Sequence, residues 1–147
     1  MIKIRVDSNQ ILMLRKQIED LKYFAGQELS NELTATAAAA VGRMKQTAPH
    51  DNGDLRKTIS FERQNNSNVA IIARAPYAPY VEFGTGRGVT LKFLQEAGFP
   101  SSYAEQFKGK GIKKQNMYAR PFFFPAIRTE MRLLNIRLYN RLKKLTK

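Results

Sequence analysis

The chain has 147 residues, with 25 Lys and Arg against 12 Asp and Glu, one His, no Cys, no Trp and 43% hydrophobic residues. One domain with a modest core is expected at that length, and the lack of Cys excludes a disulfide framework, a thiolate metal site and a cysteine nucleophile. The formal charge of +13 is lopsided: residues 1–107 carry 13 basic and 11 acidic side chains, whereas residues 108–147 carry 12 basic and one acidic, Glu130, which points to a polyanion or an acidic protein surface as neighbour.

Ile2-Lys3-Ile4-Arg5-Val6 alternates apolar and basic residues and reads as a short strand. Asp7 or Ser8 can then cap one long amphipathic helix carrying Ile11, Leu14, Ile18, Leu21, Leu29, Leu33, Ala37, Val41 and Met44 mostly at spacings of three or four. Its stretch Ala35–Ala40 allows another element to approach closely, and Pro49 ends it by turning Ala48 away from helical angles. Asp51-Asn52-Gly53-Asp54 is a turn by composition. Thr58–Glu62, a polar loop at Asn65–Asn68, and Val69–Ala73 predict a hairpin.

Pro76 and Pro79 predict irregular chain over Ala75–Tyr80, after which Val81-Glu82-Phe83 runs into the glycines of Gly84–Gly88. From Val89 to Met117 no single period dominates, although Leu91, Phe93 and Leu94 can begin one short helix and Pro100-Ser101-Ser102 another. So long an excursion in a small domain is expected to do work. Pro125 is placed in the first turn of a closing helix that carries Ile127, Met131, Leu134, Leu138, Leu142 and Leu145, with Arg and Lys residues between them.

No stretch approaches the roughly 18 apolar residues of a membrane span, and the N-terminus lacks the apolar centre of a signal peptide. A product made and kept in the cytoplasm, without membrane attachment, is the expectation.

The glycines of Gly84–Gly88 invite a phosphate-loop reading, but the Gly-Lys-Ser/Thr ending is missing, so a hinge or turn is preferred. His50 beside Asp51 has no Ser or Cys nucleophile motif to serve. Asp51, Asp54, Glu62 and Glu82 could surround a divalent metal in a nuclease, yet turn geometry accounts for Asp51 and Asp54. No catalytic, cofactor or metal residue is therefore assigned. Arg56 and Glu82 each lie beside apolar strand-like chain, which predicts a structural ion pair. Lys108, Lys110, Lys113, Lys114, Arg137 and Arg141 are the candidate contacts for DNA or an acidic partner, and Tyr77, Tyr80, Phe83, Phe122 and Phe123 the candidate aromatic contacts, set against a core role.

Three segments fall in a recognisable order: Ala48-Pro49-His50-Asp51-Asn52-Gly53-Asp54-Leu55-Arg56-Lys57-Thr58-Ile59, Tyr77-Ala78-Pro79-Tyr80-Val81-Glu82-Phe83-Gly84-Thr85, and Arg120-Pro121-Phe122-Phe123-Phe124-Pro125-Ala126. Together they resemble the head-tail joining and tail-completion proteins of long-tailed bacteriophages, over about residues 10 to 145. Asn52 stands where that family usually has Thr, Thr58 where Ser is common, and the stretch from Gly86 to Met117 is longer than in compact members.

The resemblance implies an α+β fold: a small antiparallel sheet packed against a long N-terminal helix and a C-terminal helix, as one domain over residues 1–147 with an insertion at about 86–118. It implies a noncatalytic virion component without cofactors, a neck-ring subunit joining tail to head. Its expected partners are further copies of itself in a hexamer, the head connector or stopper, and the tail tube or terminator. In that setting Asp51 and Gly53 are fold-setting turn residues, and the proline-locked aromatics suit a repeated subunit boundary. The alternative is a basic DNA-binding protein associated with packaging or genome retention.

Overall fold

The structure, a computed structural model, describes residues 8–50, 54–86 and 117–147 and the isolated positions 95, 100 and 102. The strand expected over Ile2–Val6 and the Asp51–Gly53 turn lie outside the described residues, as do the short helices expected between Leu91 and Ser102 apart from those isolated positions.

A continuous helical run opens the described chain: α1 (Ser8–Tyr23), one π turn (Phe24–Glu28) and α2 (Leu29–Thr47). Tyr23 and Leu29, on either side of the π turn, keep right-handed helical angles, so the expected long helix is unbroken. The π turn resolves an irregularity in the pattern. An eight-residue interval from Leu21 to Leu29 would rotate the apolar stripe by about 80° in a regular α-helix, and absorbing one extra residue cuts that to about 20°. Phe24, inside the π turn, is buried.

At the other end, Ala48 has φ −59° and ψ 137°, the extended geometry that Pro49 imposes. Arg56 reaches back from α3 (Asp54–Thr58) and donates from Nε and Nη2 to the Ala48 carbonyl at 3.0 and 2.6 Å. A cation thus satisfies a carbonyl at the end of α2, where the helix dipole is negative.

Strands β1 (Ile59–Arg63) and β2 (Val69–Ala73) pair antiparallel, Ile59 opposite Ala73 and Phe61 opposite Ile71. A lone hairpin is marginal in water, and this one lies against α2. Thr58, expected to open the strand, instead ends α3. Its hydroxyl donates to the Leu55 carbonyl at 2.7 Å and accepts the Ala75 N–H at 3.2 Å, tying α3 to the chain leaving β2.

The expectation of irregular chain through Tyr80 is corrected: Ala78–Phe83 is a short helix, α4. Pro79 sits in its first turn, where a missing N–H costs nothing. Gly84 closes α4 at φ 80°, ψ −175°, a region open to glycine. Helix α5 (Phe124–Leu145) has Pro125 in its first turn, as expected, and packs antiparallel to α2. Ala37, Ala40 and Ala126, all buried, permit that close approach. The core joins Ala40, Val41, Met44 and Ala48 to Leu55, Ile59, Ala75, Ala78, Phe122 and Ala126. The architecture is α+β, as the sequence reading expected.

Candidate functional site

The chain leaving α4 and the chain entering α5 lie side by side. Thr85 N–H donates to the Met117 carbonyl at 2.9 Å, Met117 N–H to Thr85 Oγ1 at 3.0 Å, and Arg120 N–H to the Val81 carbonyl at 2.8 Å. The two flanks of the 86–118 excursion are therefore clasped together.

Behind that clasp Glu82 is buried, at 2% exposure, and its carboxylate caps α5. Oε2 accepts the N–H groups of Phe122 and Phe123 at 2.8 and 2.9 Å, and Oε1 that of Phe124 at 3.0 Å. An anion at the positive end of a helix is favourable, and three otherwise unpaired donors are satisfied at once. Burial nonetheless pushes the Glu82 carboxyl above its ordinary pKa, because the three amides offset only part of the lost hydration.

The expected Arg56–Glu82 ion pair is not formed. Arg56 binds the Ala48 carbonyl and donates from Nη1 to His50 Nε2 at 2.7 Å, while Glu82 is consumed by α5. Each charge meets a helix end of opposite sign instead of the other. His50 is thereby placed beside a guanidinium, and Asp51 and Gly53, the proposed turn residues, lie outside the described residues. Among the described residues no group of three His, Asp or Glu side chains is close enough to hold a metal ion.

Around Glu82 the aromatics assemble: Phe83 and Phe124 have ring centroids 5.8 Å apart, and Phe123 meets Phe122 and Phe124 edge to face at 6.2 and 5.5 Å. Ala73, Ala78, Pro79 and these residues line a cavity of about 150 Å³. The structure divides the five candidate contact aromatics. Phe83 and Phe122, at 2% and 1% exposure, are interior residues and present no surface to a partner. Tyr80 and Phe123 are half-buried, and Tyr77 is exposed. Tyr118, absent from the sequence-based set, is 80% exposed just past the clasp. Its neighbours gave no period from which its exposure could be read.

The basic candidates divide likewise. Lys108, Lys110, Lys113 and Lys114 lie outside the described residues. Arg137 donates to Glu32 at 2.9 Å and to Thr36 Oγ1 at 2.8 Å; Arg141 binds Glu28 through two bonds of 2.7 Å. Their charge is compensated within the chain. The Arg141 hydrogen bonds hold the Glu28 carboxyl below its ordinary pKa. Arg132, Lys143, Lys144 and Lys147, further cations of the closing helix, are exposed and form no ion pair among the described residues.

Residues 13–84 match the family model described as "Bacteriophage HK97-gp10, putative tail-component". The match takes in most of α1, the π turn, α2, the hairpin and α4 with Glu82, and stops short of α5. No curated protein and no solved structure shows significant similarity to the chain.

Proposed function

We propose, for a chain whose residues 13–84 belong to the HK97-gp10-like family of phage tail components, a noncatalytic role as a tail-completion or neck-ring subunit that joins tail to head. The family match carries the reading. It spans the Ala-Pro-turn-Leu-Arg segment and the Tyr-Ala segment as far as Gly84, and the physical role found for Arg56 and Glu82, capping helix ends, suits residues that set a fold. The whole chain forms one tail-completion-like domain, with the 86–118 segment as its insertion. Virion location, after synthesis in the host cytoplasm, follows from the same reading, and no helix of the described residues is long and apolar enough to cross a membrane.

In this role copies of the chain form a ring, a hexamer by resemblance, between the head connector or stopper and the tail tube or terminator. Tyr77, Tyr80 and Phe123 face the neighbouring subunit, since they are the candidate aromatics with surface to offer. Lys108, Lys110, Lys113 and Lys114 meet acidic surfaces of adjoining proteins. The second reading, contact with packaged DNA, draws on the uncompensated Arg132, Lys143, Lys144 and Lys147. Light scattering on the purified protein, alone and with purified neck or tail-tube proteins at low and high salt, tests both. A discrete ring mass, alone or with those partners, is expected. A single-subunit mass under every condition, with salt-sensitive binding to duplex DNA, would overturn the ring.

A further inference from the structure

The seam between α2 and α5 has a regular chemistry. Small and aliphatic side chains, among them Ala37, Ala40, Val41, Ala126 and Leu134, fill its centre. Arg–Glu pairs run along it: Arg43 with Glu130 at 2.7 Å, Arg137 with Glu32 at 2.9 Å, and Arg141 with Glu28 at 2.7 Å. Helix α5 stops at Leu145, about one turn past Arg141, whereas the helix it covers runs on from Glu28 back to Ser8.

On that continuation Ile11, Leu14, Ile18 and Leu21 recur at intervals of three, four and three, the a and d positions of two heptads. Leu21, nearest the seam, is half-buried; Ile11, Leu14 and Ile18 are 42%, 56% and 43% exposed. Arg15 and Lys22 hold the flanking e positions, and neither forms an ion pair among the described residues. The covered part of the helix thus has an apolar stripe with its edge charges neutralised, and the uncovered part has the same stripe with its edge cations unmet.

We propose that residues 8–21 of α1 are a docking helix for a partner protein whose surface offers an apolar groove edged with carboxylates. A second copy is the poorer occupant. In an antiparallel pair the e positions of the two copies face each other, so cations would meet cations, Arg15 nearest the other copy's Arg15, and each copy brings a net charge of +13 that includes the exposed Lys143, Lys144 and Lys147 at the end of α5. The inference holds whether or not the chain forms a ring.

The test titrates the full chain against three labelled helical peptides by fluorescence anisotropy. The first has Ile at a, Leu at d and Glu at e and g; the second replaces Glu by Lys; the third keeps Glu but replaces Ile and Leu by Ser. The first should bind at least about tenfold more tightly than the other two, since 1.4 kcal/mol separates each tenfold step, and should weaken in about 0.5 M salt. The double variant Ile11→Asp, Ile18→Asp should lose that preference with its thermal midpoint unchanged, because both side chains are exposed. Equal binding of the first and third peptides would reduce the effect to general attraction by a basic protein and overturn the proposal. So would a concentration-dependent doubling of mass in sedimentation that the double variant abolishes, which would hand the stripe to a second copy.

Discussion

Glu82 shows why a charged residue in apolar sequence does not announce its partner. The sequence reading identified a group that must be neutralised and offered Arg56, but neutralisation came from three backbone amides of a segment about forty residues on. Glu82→Ala should lower unfolding stability by about 3 kcal/mol, as buried donors lose their acceptor, measured by urea titration. Its pH signature has a definite sign. A carboxyl with a raised folded-state pKa favours the folded form as pH falls, so the stability of the natural chain relative to Glu82→Gln should grow between pH 7 and the mid-fours. The aromatics separate on the same scale. Phe122→Ala should cost about 3–5 kcal/mol of fold stability, whereas Tyr77→Ala should stay within about 0.5 kcal/mol and, on the ring reading, weaken assembly. Loss of assembly by Phe122→Ala with an unchanged unfolding midpoint would contradict the core assignment.

At the scale of elements, periodicity made the long helix, both strands and α5 legible, because each buries one face at a fixed repeat. Three elements were not, the first being α3 (Asp54–Thr58), where a turn and then a strand were expected. Over Ala75–Tyr80 the prolines suggested a break, and only the structure shows that Pro79 falls in a first turn where helices accept it. The π turn left a trace in the eight-residue interval between Leu21 and Leu29, although the sequence does not say which residue is absorbed. The seam charges were legible as an excess but not as pairs: Glu28 and Glu32 meet Arg141 and Arg137 across more than a hundred residues of chain, beyond any local pattern. Helix α2 also carries a glycine with no steric duty. A Cβ at Gly42 would meet open space, so Gly42→Ala should raise stability by about 0.5–1 kcal/mol, visible as a higher thermal midpoint by circular dichroism.

For the whole molecule, the family match points to a phage tail component, and the capping by Arg56 and Glu82 fixes its frame. What the sequence could not supply was the division of its aromatic and basic residues between interior, internal pairs and surface, since that depends on how α4 and α5 meet. Their meeting point also bears on the excursion. Replacing residues 87–116 by a short Gly-Ser linker should leave the thermal midpoint within about 5 °C, because the ends are already fastened by Thr85 and Met117 and loop-closure entropy changes slowly with length. A cooperative collapse of the fold would show that the core depends on the segment.

The clasp has a consequence for descent as well as for stability. A chain that departs and returns at one fastened point can exchange everything between without re-registering α4 against α5. Such a segment can change in sequence or length without disturbing the frame, since the hydrogen bonds that fasten its ends belong to Thr85, Met117, Val81 and Arg120.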